Sequence, residues 1–77
     1  MANTVLEFHV PAQIDDIEMH NWHFEFLFDD GTHDYYSNYG TAREMINWVT
    51  DDMEYRNFIM RTHIWVDCQW WGEVERR

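Results

Sequence analysis

A chain of 77 residues has room for one small domain. Fifteen Asp and Glu stand against five Arg and no Lys, a formal charge of −10 that repels DNA, RNA and anionic lipid and attracts basic surfaces. The 18% aromatic content argues against disorder, and a single cysteine excludes an internal disulfide scaffold.

Residues 4–10, TVLEFHV, set Leu6, Phe8 and Val10 against Val5, Glu7 and His9, which predicts a strand at a sheet edge ended by Pro11. Residues 12–21 are polar with Ile14, Ile17 and Met19 interspersed and read as a connecting loop with at most one helical turn. In Trp22–Tyr36, Trp22, Phe24, Phe26 and Phe28 fall on every second residue and share one sheet face. Asp30-Gly31 marks a hairpin turn. A two-residue loop pairs Phe28 with His33 and Phe26 with Tyr35, whereas a three-residue bulged loop shifts the pairing by one. Ser37–Gly40 closes the hairpin.

Thr41-x-x-Glu44 is a capping box, and Ala42, Met45, Ile46 and Val49 form the apolar stripe of a helix. Continued straight, that stripe would bury Arg56 and Asn57. Asp51-x-x-Glu54 offers a second cap, and Tyr55, Phe58 and Ile59 restart the pattern, which predicts two short helices, 42–49 and 52–60. A last strand, 62–71, places Ile64, Val66, Cys68 and Trp70 on one side and His63, Trp65, Asp67, Gln69 and Trp71 on the other, with Gly72 stopping it. The expected fold is one α+β domain over 1–77, an antiparallel sheet of three or four strands in the order β-β-β-α-α-β, with both helices on one face. Its expected core is Phe24, Phe26, Phe28, Met45, Ile46, Val49, Phe58, Ile64, Val66 and Trp70.

The residues suggest no catalysis, metal or cofactor. His20-x-x-His23, with His33, His63 and Cys68 as further candidates, lacks the second spaced pair that zinc needs. Cys68 falls on the expected core face, where thiols are inert. Asp15-Asp16, Asp29-Asp30 and Asp51-Asp52 sit where turns and caps account for Asp. The chain carries no Gly-rich phosphate loop, no G-x-S-x-G elbow, no EF-hand loop, no secretory leader and no apolar run of the ~20 residues that cross a bilayer.

The acidic residues nevertheless form groups: Asp15, Asp16 and Glu18; Asp29, Asp30 and Asp34; Glu44, Asp51, Asp52 and Glu54. Carboxylates spaced along a ridge imitate nucleic-acid phosphates. Solubility alone is the plainer account of the charge. Tyr36, Trp65 and Trp71 are the aromatic candidates for a partner or dimer contact.

In its small size, acidity, short antiparallel sheet and Asp29-Asp30-Gly31 hairpin followed by an acidic helical segment, the chain resembles phage-encoded anti-CRISPR and other anti-defence inhibitors. The likeness is one of character over the whole chain, without a diagnostic motif. It implies a non-enzymatic inhibitor in the host cytoplasm that covers a basic nucleic-acid-binding surface of a CRISPR-Cas or similar complex, binding neither nucleic acid nor membrane itself. The competing expectation is a homodimeric interaction module joined through an aromatic sheet face.

Overall fold

The computed structural model describes residues 5–10 and 13–77; Thr4 and Pro11, the expected start and stop of the first strand, lie outside them. The described residues form β1 (Leu6–His9), β2 (Met19–Phe28), β3 (His33–Thr41), α1 (Ala42–Tyr55), β4 (Ile59–Val66) and β5 (Gln69–Arg76). The strands make one antiparallel sheet in the order β1-β5-β4-β2-β3. Five strands and one helix replace the expected three or four strands and two helices.

Strand β2, the first arm of the hairpin, lies between β4 and β3 and carries the middle of the core. Trp22, Phe24 and Phe26 are almost wholly buried, and their rings follow one another at 6.2 Å spacing. Strands β4 and β5 add Ile64, Val66 and Val74 to the same face. Helix α1 lies over them through Ala42, Met45, Val49 and Met53, starting from the expected capping box at Thr41. Ile46, Phe28 and Trp71 pack at the margin of this core.

The helix does not break where the apolar pattern falters. Met53 extends the stripe, and the chain leaves the helix at Arg56, so Asp51-x-x-Glu54 is helix interior and no second cap. The Arg56 side chain, due on the buried side, lays its guanidinium over the Phe26, Phe28 and Phe58 rings at 5.3–5.9 Å while pairing with Asp52. Phe58 itself sits at the rim, 41% exposed, and Ile59 already begins β4.

The expected last strand is in fact two strands. Val66 pairs with Gln69, leaving Asp67 and Cys68 as a two-residue turn with φ of 49° and 67°. That is the backbone of a tight hairpin turn with both central residues left-handed. The register then slips by one beside Trp65, a bulge that leaves Trp70 opposite Trp65 and Gly72 opposite Ile64. Turn and bulge together reverse the expected facing. Trp70 is 51% exposed on the side away from the helix, and Trp71 meets Trp22 edge-on at 5.3 Å on the helix side. Gly72 continues the strand instead of stopping it: a side chain there would meet the His9 carbonyl at 2.4 Å, so β1 reaches the sheet only across a glycine.

The first hairpin takes the three-residue loop. Phe28 N–H donates to the Thr32 carbonyl at 2.8 Å, Gly31 has φ of 87°, and Leu27 pairs with His33. Residues 19–21, expected in the loop, belong to β2. No helix among the described residues is long and apolar enough to cross a membrane.

Phe26→Ala is expected to destabilise the protein by about 3–5 kcal/mol, while Trp70→Ala, at a half-exposed position with edge-on ring contacts, is expected to cost about 1–2 kcal/mol. Chemical denaturation of both variants checks the facing, and equal losses would overturn it.

Candidate functional site

The C-terminal end of α1 is built from acid. Asp51, Asp52 and Glu54 lie in its last two turns, and the last turn holds no basic side chain. Unsatisfied carbonyls make that end of a helix partly negative, so carboxylates there are unfavourable. Arg56 answers only Asp52, through Nε and Nη2 at 3.0 and 2.6 Å. Those hydrogen bonds raise the Arg56 pKa, with smaller help from the charges of Asp52 and Asp34. The hairpin tip is tied to the same end, since Asp29 N–H donates to the Phe58 carbonyl at 2.9 Å. That contact sets the hairpin tip, with Asp29 and Asp30, beside the segment that follows the helix, and Asp34 is near enough to Arg56 for its charge to act on the guanidinium. Asp30 accepts from the Thr32 N–H and O–H, which lowers its pKa. Asp29, Asp51 and Glu54 are exposed and, among the described residues, have no ion-pair partner.

The other acidic group sits by the start of α1, with local tasks. Asp15 Oδ1 accepts from Ile17 N–H at 3.0 Å, Asp16 pairs with Arg43 at 2.7 Å, and Glu44 completes the capping box. Glu44 and Asp51, seven apart on a continuous helix, share a face.

A second assembly, unforeseen from the sequence, covers the sheet face away from the helix. Glu25 on β2 accepts from His33 Nδ1 at 2.9 Å, His63 Nδ1 at 3.0 Å and Tyr35 O–H at 2.9 Å. These donors, His33 first, hold its pKa down at about 2. His63 reaches Glu73 at 3.5 Å, Arg61 pairs with Glu73 and Glu75, and Arg77 with Glu7 and Glu75. The result is a connected row of carboxylates, imidazoles and guanidinium groups from β3 to β1. Trp65 and Trp70 pack edge-on to each other and to His63 on this face. Period-two alternation did put His23, Glu25 and Leu27 on this side, but the cross-strand partners depend on registers that only the fold supplies.

The aromatic candidates are not brought together. Tyr36 stacks on Trp48 at 4.6 Å on the helix side, Trp71 lies against Trp22, and Trp65 is on the opposite face. His20 and His23 are three apart in one strand and point to opposite faces: His20 Nδ1 meets Asp67 at 2.6 Å, and His23 Nδ1 meets Ser37 at 2.7 Å. Glu7, His9 and Glu75 do converge, but Arg77 and Arg61 already neutralise the two carboxylates. Cys68, expected in the core, is exposed in the β4–β5 turn. A groove of about 330 Å³ beside it is lined by His23, Tyr35, Ser37 and Trp65.

Compared with protein-family models, curated proteins and solved structures, the chain matches none.

Two expectations follow. Cysteine is a poor left-handed residue, so Cys68→Gly should stabilise the protein by about 1 kcal/mol, and the native Cys68 thiol should react with a thiol reagent as completely as in denaturant. A destabilised glycine variant, or a thiol reactive only after unfolding, would refute the turn.

The second concerns pH. Pairing with Asp67 raises the His20 pKa above its ordinary 6.5, so its contribution is full below 6.5 and is lost as pH rises through the folded-state value. The Glu25 pKa is lowered from 4.5 to about 2, so its contribution is full above 4.5 and is lost as pH falls toward 2. Melting temperature should therefore be highest between about pH 4.5 and 6.5. His20→Gln should flatten the alkaline limb and Glu25→Gln the acid limb; unchanged limbs would show that these pairs contribute nothing.

Proposed function

We propose that this protein is a non-enzymatic inhibitor that acts in the host cytoplasm by seating its acidic end on a basic, nucleic-acid-binding surface of a CRISPR-Cas or related defence complex. The observation that supports this most is the placement of Asp51 and Glu54. Glu54 lies in the last turn, where the helix dipole opposes it, Asp51 lies one turn earlier, and neither takes part in an ion pair among the described residues. Fold stability gives no reason for acid at that position. A partner that binds phosphates does, because the same field that steers it to nucleic acid steers it here. Solubility needs charge but no particular location for it.

The test uses the combined variant Asp29→Asn, Asp30→Asn, Asp51→Asn and Glu54→Gln, which leaves the Asp52–Arg56 pair in place. Asparagine serves the Asp30 turn well. Each single change should weaken binding by less than about fivefold, as for exposed ion pairs. The combined variant should lose most of its affinity while melting at or above the parental temperature, since charges opposed to the dipole are gone. Binding of DNA and guide RNA by purified CRISPR and restriction complexes, titrated with each protein at two salt concentrations, gives the readout. A folded combined variant that inhibits as well as the parent would refute the proposal.

A further inference from the structure

Strand β3 is one edge of the sheet, nine residues long, with no proline, no lysine and no register shift against β2. Such an edge is a template for another strand. Its outward groups can be assigned. Phe28 N–H donates to the Thr32 carbonyl, and the pairs Phe26–Asp34, Phe24–Tyr36 and Trp22–Asn38 follow at steps of two. Even-numbered residues of β3 therefore bond to β2, and odd-numbered ones turn N–H and C=O outward. The side-chain bonds agree: Tyr35 N–H is held by Asp34 Oδ1, Tyr39 N–H by Asn38 Oδ1 and Thr41 N–H by Glu44 Oε1, all odd and all off the ladder.

We propose that β3 pairs antiparallel with β3 of a second copy of this chain, about a two-fold axis at Ser37. Ser37 is the midpoint of the strand and belongs to the outward set, so this register alone sets all nine residues opposite residues of the second copy with the N–H and C=O groups of Tyr35, Ser37 and Tyr39 matched, while Thr41 N–H stays on the capping Glu44. It sets Tyr35 opposite Tyr39 of the second copy on the face away from the helix, where both are exposed, beside the groove lined by Tyr35, Ser37, His23 and Trp65. It sets Asp34 opposite Gly40, so no two carboxylates of β3 face each other. The Asp34 and Asn38 side chains release the two tyrosine N–H groups to carbonyls of the second copy. Strand β1, with four residues, offers a shorter edge. The pairing uses β3 and not Trp65 and Trp71, the anchors expected from the sequence. It does not rest on the acidic end, and its failure leaves that proposal standing.

Each copy carries −10, so pairing opposes like charges and added salt strengthens it, the reverse of its effect on contact with a basic partner. Sedimentation equilibrium should show a dimer whose fraction rises with salt, and Tyr39→Glu should shift it toward monomer while melting like the parent at concentrations low enough for both to be monomeric. In a Cys68→Ser background, a short thiol–thiol cross-linker should join two copies of Ser37→Cys, which face each other at the axis. It should not join two copies of Thr41→Cys, held four residues to either side of it. Monomer at all salt concentrations, including a monomer that takes up a strand from another protein, overturns the proposal. So does equal cross-linking at both positions.

Discussion

The column of Trp22, Phe24 and Phe26 is the contact on which the rest of this structure depends. It buries three large rings on the strand that lies between β4 and β3, and each ring meets the next. One helix of 14 residues covers it. Trp22 also donates its indole N–H to the Gly40 carbonyl at 2.9 Å, which ties the column to the residue just before the helix cap. Hairpin, cap and core are thus one device: the hairpin returns the chain to Gly40, the cap starts the helix at Thr41, and the stripe Ala42, Met45, Val49 and Met53 comes down on the rings. A chain this short seldom gains more than about 3–5 kcal/mol from its core, so aromatic bulk on the one covered face has to supply most of it.

A single helix leaves the opposite face in water, and that face is stabilised differently. Its centre is Glu25, a carboxylate with three donors, and its extension is the alternation of His63, Glu73, Arg61, Glu75, Arg77 and Glu7. Exposed pairs are individually weak, but a connected network shares its ordering among many partners. The network takes up Arg61 and Arg77. Arg43 is bound to Asp16, Arg56 to Asp52, and Arg76 to the Ile59 and Met53 carbonyls. Every arginine of the chain is thereby committed near its own strand or helix end, and the excess negative charge collects elsewhere.

Local patterns made the first hairpin, the capping box, the edge strand β1 and most of the core legible in the sequence, because each rests on residues within one turn or one strand. The hairpin loop length was open, and Gly31 in the left-handed region decided it. What local pattern did not reveal was the chain beyond Val49. Arg56 read as a helix breaker because a cation on the apolar stripe looks wrong until Asp52 and the rings of Phe26, Phe28 and Phe58 are in place around it. The turn at Asp67-Cys68 carries no glycine, asparagine or proline; Asp67 suits a turn, but inside an alternating run and followed by Cys68 it did not mark one. It is held from outside: Asp67 exchanges hydrogen bonds with Asn21 through both its carboxylate and its N–H, and its carboxylate also binds His20. A long-range contact thus overrides the local preference of Cys68. With the turn missed, the bulge at Trp70–Trp71 was invisible too, and the facing of both tryptophans came out reversed.

Of the candidate site, the acidic residues were legible as a list but not as a distribution. The fold separates them by what surrounds them. Glu7, Glu25, Glu73 and Glu75 are bound into the sheet network; Asp15, Asp16, Asp30 and Glu44 shape turns, a bridge to Arg43 and the helix start. Glu18 and Asp67 pair with His20, and what is left over, Asp29, Asp34, Asp51, Asp52 and Glu54, belongs to the last two turns of the helix and to the hairpin. An acidic surface selected only for solubility would be expected to spread over positions that tolerate charge without penalty. Here carboxylates stand where the helix dipole disfavours them, while the opposite end of the same helix, which welcomes acid, carries only Glu44 in its first turn. That placement is the observation on which the proposed contact with a basic surface rests.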